Sequence, residues 1–413
     1  MPFVSVIIPT RERCETLHSA LKTVCGQDFD DAEFIVSDNV SEDDTANIVA
    51  GFNDPRIRYI RTPRRLGMSD NYSFALSHAR GTYVTILGDD DGLIPGALSA
   101  LAQWARATGT DAISWQEATY YWPTHSLPES RGQLKVPVLN VNWNVSARAA
   151  FTAAKWSMLR WNYLPIIYGG LVKLDVMNRI RDRTGEYILS HIPDVYSALA
   201  ICSIIERYIY TEYPFSTFGF SGKSMASAYQ LIWSAGTITT NETYNVNLFL
   251  NEEAMAPHPD FPVGDLRLQS AAMIDCLYRI KDELFGGRLF IPDSIWLYRL
   301  LREANFAKEP LRSELTSRLD EIAAQRWRRW FVHLLLHLSK IKQAMEQASF
   351  PGGLTVDEAK LNIDSTKFGV ADIHDACNLV AKLRRIPSNV PSFHKVGLRN
   401  LLGLRRLKRK WTS

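Results

Sequence analysis

Hydrophobic positions in the first third of the chain fall in short β-branched runs, separated by segments with helical spacing. Val4-Ser5-Val6-Ile7-Ile8 reads as a buried strand closed by Pro9-Thr10. Leu17, Leu21 and Val24 then recur at the interval of one helix face. Phe34-Ile35-Val36 predicts a second strand, ending in Ser37-Asp38-Asn39. Ala46, Ile48 and Val49 predict a short helix, and Ile57-Arg58-Tyr59-Ile60 a third strand. A helix over about 69–80, a strand over 83–87, a helix over 93–107 and a strand at Ala112-Ile113-Ser114-Trp115 continue the alternation. Repeated strand–helix units of this length predict an α/β fold, a mostly parallel sheet flanked by helices. From about residue 226 the pattern changes. Helical periodicity runs through 266–284, 292–304, 312–347 and 371–384, broken by Pro-containing loops around 257–262, 351–353 and 387–392. It predicts an α-helical C-terminal extension, 226–413, that packs on a first domain, 1–225, or forms a homo-oligomer.

In open parallel sheets, ligands bind beyond the carboxyl ends of the strands. That rule gathers three polar sets at one crevice: Pro9-Thr10, Asp38-Asn39 and Asp89-Asp90-Asp91. The three aspartates read in two ways. They are a carboxylate site for Mg²⁺ or Mn²⁺ arriving with substrate phosphates, or a solvated turn that stops the strand and caps the next helix. The first strand-to-helix turn, Pro9-Thr10-Arg11-Glu12-Arg13-Cys14, has no glycine, so the dinucleotide fingerprint is missing, and no P-loop is present. A composition of 46% hydrophobic and 22% charged residues is that of an ordinary globular protein. A net charge of +3 without a recognition signature argues against nucleic acid as a partner. Five cysteines with no Cys-x-x-Cys pair suit reduced thiols. The N-terminus lacks a signal-peptide pattern, and Trp330–Leu338 is too short to span a bilayer, so the chain reads as cytoplasmic.

Val4–Thr10, Ile35-Val36-Ser37-Asp38-Asn39 with Glu42-Asp43, and Gly81-Thr82-Tyr83 leading to Gly88-Asp89-Asp90-Asp91 and Pro95 together resemble glycosyltransferase family 2. The resemblance implies a GT-A fold with a Rossmann-like central sheet. Residues 1–125 would bind the nucleotide-sugar and 126–225 would form the acceptor and catalytic half. It implies an inverting enzyme that transfers a sugar from a nucleoside diphosphate donor, UDP-sugar favoured, with Mn²⁺ or Mg²⁺ as cofactor. The acceptor would be a hydroxyl of a glycan or lipid-linked sugar in cell-surface polysaccharide synthesis. Carried onto this sequence, Pro9 and Thr10 line the nucleotide pocket and Arg13 is the arginine after the first strand. Asp38 accepts from the base, Asn71 lies near the donor, and Asp89 binds the ribose or sugar. Asp90 is the metal-ligating carboxylate of the DXD motif, with Asp91 as an extra carboxylate; Gly88 replaces the usual first acidic residue.

Inversion requires a base on the face opposite the leaving diphosphate, hence from another part of the chain. Asp194, at a helix start that resembles the base-bearing segment of relatives, is the leading candidate, with Asp175 and Glu186 in reserve. As a plain structural feature, it would serve the helix dipole. His191 is a further candidate for metal or acceptor contact. Gly219–Ser224 is a flexible loop whose amides and Lys223 could close over a diphosphate, or an ordinary glycine turn. Trp156, Trp161, Tyr163 and Tyr168 are candidates for an acceptor platform. The basic segment 396–413 mixes leucines with Lys and Arg, and reads as a peripheral contact with the inner face of an anionic membrane or as a solvated tail. The competing functions are a non-catalytic GT-A scaffold and a sugar nucleotidyltransferase. The latter would need a Gly-rich phosphate loop that this chain lacks.

Overall fold

Strand β1 (Val4–Thr10) lies parallel to β2 (Ala32–Asp38), which lies parallel to β3 (Ile57–Arg61); β4 (Tyr83–Ile86) joins β1 on its other side. The computed structural model describes residues 1–190, 192–224, 258–260, 269–305, 309, 311–326, 360–387 and 389–396. In it these four strands begin a sheet of nine, completed by β10 (Gly170–Lys173), β6 (Ala112–Trp115), β11 (Arg207–Thr211), β9 (Asn142–Ser146) and β14 (His394–Val396). Three of the eight neighbour pairs, β4–β10, β10–β6 and β11–β9, are antiparallel and the other five parallel, so the expected mostly parallel α/β sheet is present.

All seven positions of β1 are buried, because helices cover both faces. Val4, Val6 and Ile8 enter the core under α1 (Cys14–Cys25) and α4 (Ala97–Thr108), where Trp104 is fully enclosed. Ile7 points the other way, into the core shared by α3 (Met68–Ser77), α5 (Ala147–Lys155), α6 (Leu174–Thr184) and α7 (Pro193–Ile204). Each such fully buried aliphatic side chain contributes about 1.5–3 kcal/mol.

The helix expected from residue 93 starts later, at Ala97. Gly92–Leu93 is instead a short strand, β5, paired with the start of β12 (Ser216–Phe220). A second sheet follows in the order β13-β8-β7-β12-β5, with β7 at Ala118–Tyr121, β8 at Gln133–Pro137 and β13 at Lys360–Asp364.

The expected C-terminal helices are present at Gln269–Phe285, Asp293–Ala304, Leu311–Arg326 and Ile373–Leu383. Ile274, Leu277, Trp296 and Leu300 belong to the same core as α7, so that core continues from the first domain into these helices. The C-terminal region also supplies β13 and β14. β13 alternates polar and apolar side chains over only five residues and β14 has three, too short a pattern to stand out beside the helical segments. Residues 327–359, His191 and the basic tail beyond Val396 lie outside the described residues. Among the described residues no helix is long and apolar enough to cross a membrane.

Candidate functional site

β10 runs against both β4 and β6, so β4 and β6 point the same way as β1 and β2. Their carboxyl ends share one edge, and the chemistry collects there. Thr10 ends β1 and donates its hydroxyl to Asp89 Oδ2 at 2.8 Å, while Arg13 donates to Asp89 Oδ1 at 2.9 Å and lies 4.0 Å from Asp90. Burial pulls the Arg13 pKa down, but Asp89 and Asp90 outweigh it and the guanidinium stays charged. Arg13 also donates to the Lys223 carbonyl, and Lys223 Nζ returns a hydrogen bond of 2.8 Å to the Glu12 carbonyl. Two distant loops are thereby locked together over the aspartates.

Each aspartate has its own set of donors. Ser221 donates to Asp90 Oδ2 at 2.6 Å. Gly219 N–H donates to Asp91 Oδ1 at 2.7 Å, while Gly88 N–H at 3.1 Å and the Tyr168 hydroxyl reach Asp91 Oδ2. Asp91 folds back over residue 88: a Cβ there would sit 2.6 Å from its Oδ2 and collide with the Tyr168 hydroxyl. The glycine that departs from the DXD pattern is what gives Asp91 its place.

Asp38 is fully buried at the end of β2. It accepts from Ser41 N–H at 2.8 Å, from Arg61 at 3.0 Å and from the Tyr59 hydroxyl. Asn71, on α3, receives the Ser37 hydroxyl at 2.6 Å and so supports β2 from below. Pro9 pairs in register with Ser37. Left-handed backbone at two non-glycine residues, Glu12 (φ 55°) and Val40 (φ 57°), marks the loops after β1 and β2. Such strain costs about 1–3 kcal/mol per residue and is typical of functional sites. Glu12 is held in part by its N–H to Ser41 Oγ, 3.0 Å.

Asp194 lies in the first turn of α7, behind Pro193. That helix runs back to β11, which is parallel to β6, so its N-terminus opens on the same edge. The Asp194 carboxyl accepts no hydrogen bond from the described residues. The helix dipole favours its anion by only about 0.3–1 kcal/mol. Burial, followed by the charge of Glu117, outweighs this and pushes its pKa up to about 7. Of the reserves, Asp175 is largely exposed and 3.7 Å from Arg179, and Glu186 is exposed.

Glu117 follows the end of β6 and was not picked out from the sequence. The strand-end rule that gathered the aspartates would have found it. Its Oε1 accepts from Ser216 at 2.7 Å, and burial raises its pKa to about 7 against the pull of Ser216 and Lys360. Of the proposed platform residues, Tyr168 reaches the site through Asp91. Trp161 instead lines a separate cleft of about 290 Å³ with Met158, Trp296 and Arg302. Tyr163 packs against Tyr210, and Trp156 against Phe290.

Could the site hold a divalent cation? Among the described residues, three ligand atoms of His, Cys, Asp or Glu come within 4.8 Å of one another at His258–Asp260–Asp282 and Asp372–His374–Asp375, and no such cage forms at the three aspartates. Mg²⁺ and Mn²⁺ with phosphate substrates do not need one, because one or two carboxylates suffice when substrate oxygens and water complete the shell. Asp90 fits that role. Burial, together with Asp89, raises its pKa to about 6 despite Arg13 and Ser221, and a cation would relieve that cost. Asp91 has three donors on its oxygens and less capacity to spare.

Residues 5–151 match the family model described as "Glycosyl transferase family 2". Over 108 residues the chain is 44% identical to the GalNAc(5)-diNAcBac-PP-undecaprenol beta-1,3-glucosyltransferase of Campylobacter jejuni, covering 25% of this chain and 35% of that protein. Over 121 residues it is 26% identical to the UDP-Glc:alpha-D-GlcNAc-diphosphoundecaprenol beta-1,3-glucosyltransferase WfaP of Escherichia coli, covering 29% and 47%. The chain thus spans between a third and a half of the length of these curated relatives. Among solved structures it is similar to S. aureus TarS 1-349 in complex with UDP-GlcNAc, with a TM-score of 0.44 and 15% identity over 82% of this chain and 88% of that one.

Proposed function

We propose, from the premise that residues 5–151 of this chain form a glycosyl transferase family 2 domain, that the protein is a metal-dependent inverting glycosyltransferase. Its donor is a nucleoside diphosphate sugar, with UDP favoured, and its acceptor is a hydroxyl on a glycan or lipid-linked sugar used for cell-surface polysaccharide. The observation that carries this reading is the opposition within one crevice. Asp89, Asp90 and Asp91 are held by fixed donors at one strand end, and Asp194 opens on the same edge from a different element, its carboxyl accepting no hydrogen bond from the described residues. The named relatives support the choice of substrates: the C. jejuni and E. coli proteins are named for acceptors on undecaprenol diphosphate, and the E. coli protein also for UDP-Glc.

In this mechanism Asp194 takes the proton of the acceptor hydroxyl. The acceptor oxygen bonds to the anomeric carbon as that carbon's bond to the diphosphate breaks, and attack from the opposite face inverts the configuration. A pKa near 7 suits a general base, since a useful fraction is ionised at neutrality and the proton is still accepted readily. Arg13 and Lys223 add positive charge on the leaving side. Bound at Asp90, Mn²⁺ or Mg²⁺ would supply charge neutralisation for the departing diphosphate. Asp38 would accept from the nucleotide base, with a carboxylate already shared with Tyr59 and Arg61. Membrane association of the basic tail remains part of the reading through the lipid-linked acceptor.

Calorimetry with UDP, GDP, dTDP and CMP, each with and without Mn²⁺, tests the donor half. UDP should bind and bind more tightly with the metal. Absence of metal-dependent binding by all four nucleotides would sink the proposal.

A further inference from the structure

Beside Asp194 the structure presents a second set of groups that donor chemistry does not use. Glu117 Oε1 accepts from Ser216, whereas its Oε2 has no hydrogen bond to any described residue. The carboxyl fits only because residue 169 is glycine: with φ +74°, a Cβ there would lie 2.8 Å from Glu117 Cδ. Side chains alternate along a strand, so Ser216, Phe218 and Phe220 of β12 share one face, and Gly219 and Ser221 on the other hold the aspartates. Phe218 and Phe220 are half-buried and meet edge-to-face at 4.9 Å, and Phe218 meets Tyr168 at 6.2 Å. Because Tyr168 also binds Asp91, this aromatic strip starts at the reacting corner.

An open carboxylate oxygen beside half-exposed ring faces is the combination that binds a sugar: carboxylates accept from hydroxyls, and rings cover the apolar C–H face. We propose that Glu117, Phe218 and Phe220 form an acceptor subsite for a hexose ring, Glu117 accepting from its hydroxyls and Phe218 packing on its face. The inference rests on the glycosyltransferase reading and names the part of the crevice that selects the acceptor. The charge of Glu117 is the second cause, after burial, of the raised Asp194 pKa and, after burial and Asp90, contributes to that of Asp91.

The probe is a panel of methyl hexosides, observed by saturation-transfer NMR on the full chain with UDP and Mn²⁺ present. At least one hexoside should bind to the unaltered protein. Glu117→Gln and Phe218→Leu should each weaken it on the order of tenfold, as loss of one charged hydrogen bond or one ring face does, with UDP affinity unchanged. Phe218→Leu keeps an apolar side chain, so the test survives if Glu117→Gln folds poorly. Unchanged hexoside binding in both variants, or no hexoside bound by a protein that does bind UDP, overturns the subsite alone. Failure of the unaltered protein to bind UDP overturns the glycosyltransferase reading on which it rests.

Discussion

The two sides of the crevice are built on opposite plans. On the donor side, Asp38, Asp89, Asp90 and Asp91 all have protein donors, and even the backbone is held in strained conformations to place them. On the acceptor side, among the described residues, the Asp194 carboxyl has no donor and that of Glu117 has one. Donors hold a carboxylate in place but do not by themselves keep it charged, since burial still raises the pKa of Asp90 and Asp91. One left bare is raised in pKa and ready to take a proton. The difference separates a binding surface from a reacting group, and it predicts which residue fails most sharply in catalysis. Asp194→Asn should lower the transfer rate by about 10²–10⁴-fold, as loss of a general base does, while calorimetry shows UDP binding as before. Lost nucleotide binding would place Asp194 on the donor side and undo the comparison.

The donor side should break structurally instead. Gly88→Asp would restore the common DXD pattern, yet here it pushes a side chain into Asp91 and Tyr168. Overpacking of this kind typically costs about 1–3 kcal/mol, and a second carboxylate adds repulsion. Urea unfolding should therefore place this variant at the upper end, about 3 kcal/mol below the unaltered protein. An unchanged midpoint would mean that the loop yields easily and that the lock is not rigid. Tyr168→Phe removes one donor from Asp91 without adding bulk, so the same measurement should register a smaller loss, about 1–2 kcal/mol.

The donor side was also the side legible in the sequence. Thr10, Asp38 and Asp89–Asp91 stand directly after apolar runs, and strand ends in a parallel sheet share one edge by topology alone. Asp194 was singled out by a weaker signal, a helix start that resembles the base-bearing segment of relatives. Glu117 was missed because it follows β6 after Gln116 with no repeated acidic neighbour. Its company, Ser216 and Gly169, comes from segments 99 and 52 residues away in sequence. The reason for Gly88 was invisible for the same cause, since Tyr168 approaches it only after β10 inserts antiparallel between β4 and β6. Local patterning placed the elements up to β6 to within a few residues, except where β5 replaced the start of a helix, and it named none of β7 to β12. It also missed β13 and β14, short strands that pair with β8 and β9.

The smallest effect gives the sharpest contrast, because it reads the bare carboxyl directly. In the unfolded chain Asp194 has an ordinary aspartate pKa near 3.8, and in the fold about 7, so the folded state binds the extra proton between those values. Its raised pKa therefore favours folding at low pH, and that contribution is lost as pH rises through about 7. Asparagine does not titrate, and because the Asp194 carboxyl accepts no hydrogen bond from the described residues, the substitution removes the cost of the buried charge. Asp194→Asn should thus match the unaltered protein in stability near pH 4 and exceed it by on the order of 1 kcal/mol at pH 8, read as a widening gap in Tm. Asp89→Asn should instead lower stability, because it gives up the ion pair of 2.9 Å with Arg13. Asp90 and Asp91 are the donor-side exceptions: burial raises the Asp90 pKa to about 6, and burial with the charges of Asp90 and Glu117 raises that of Asp91 well above the carboxylate range, so their donors do not fully compensate their burial. If the metal assignment is right, Mn²⁺ with UDP should raise Tm more at pH 8 than at pH 5, and Asp90→Asn should abolish the part of that gain that depends on Mn²⁺. A gain that survives Asp90→Asn would move the cation to another carboxylate and make the donor side less complete than its hydrogen bonds suggest.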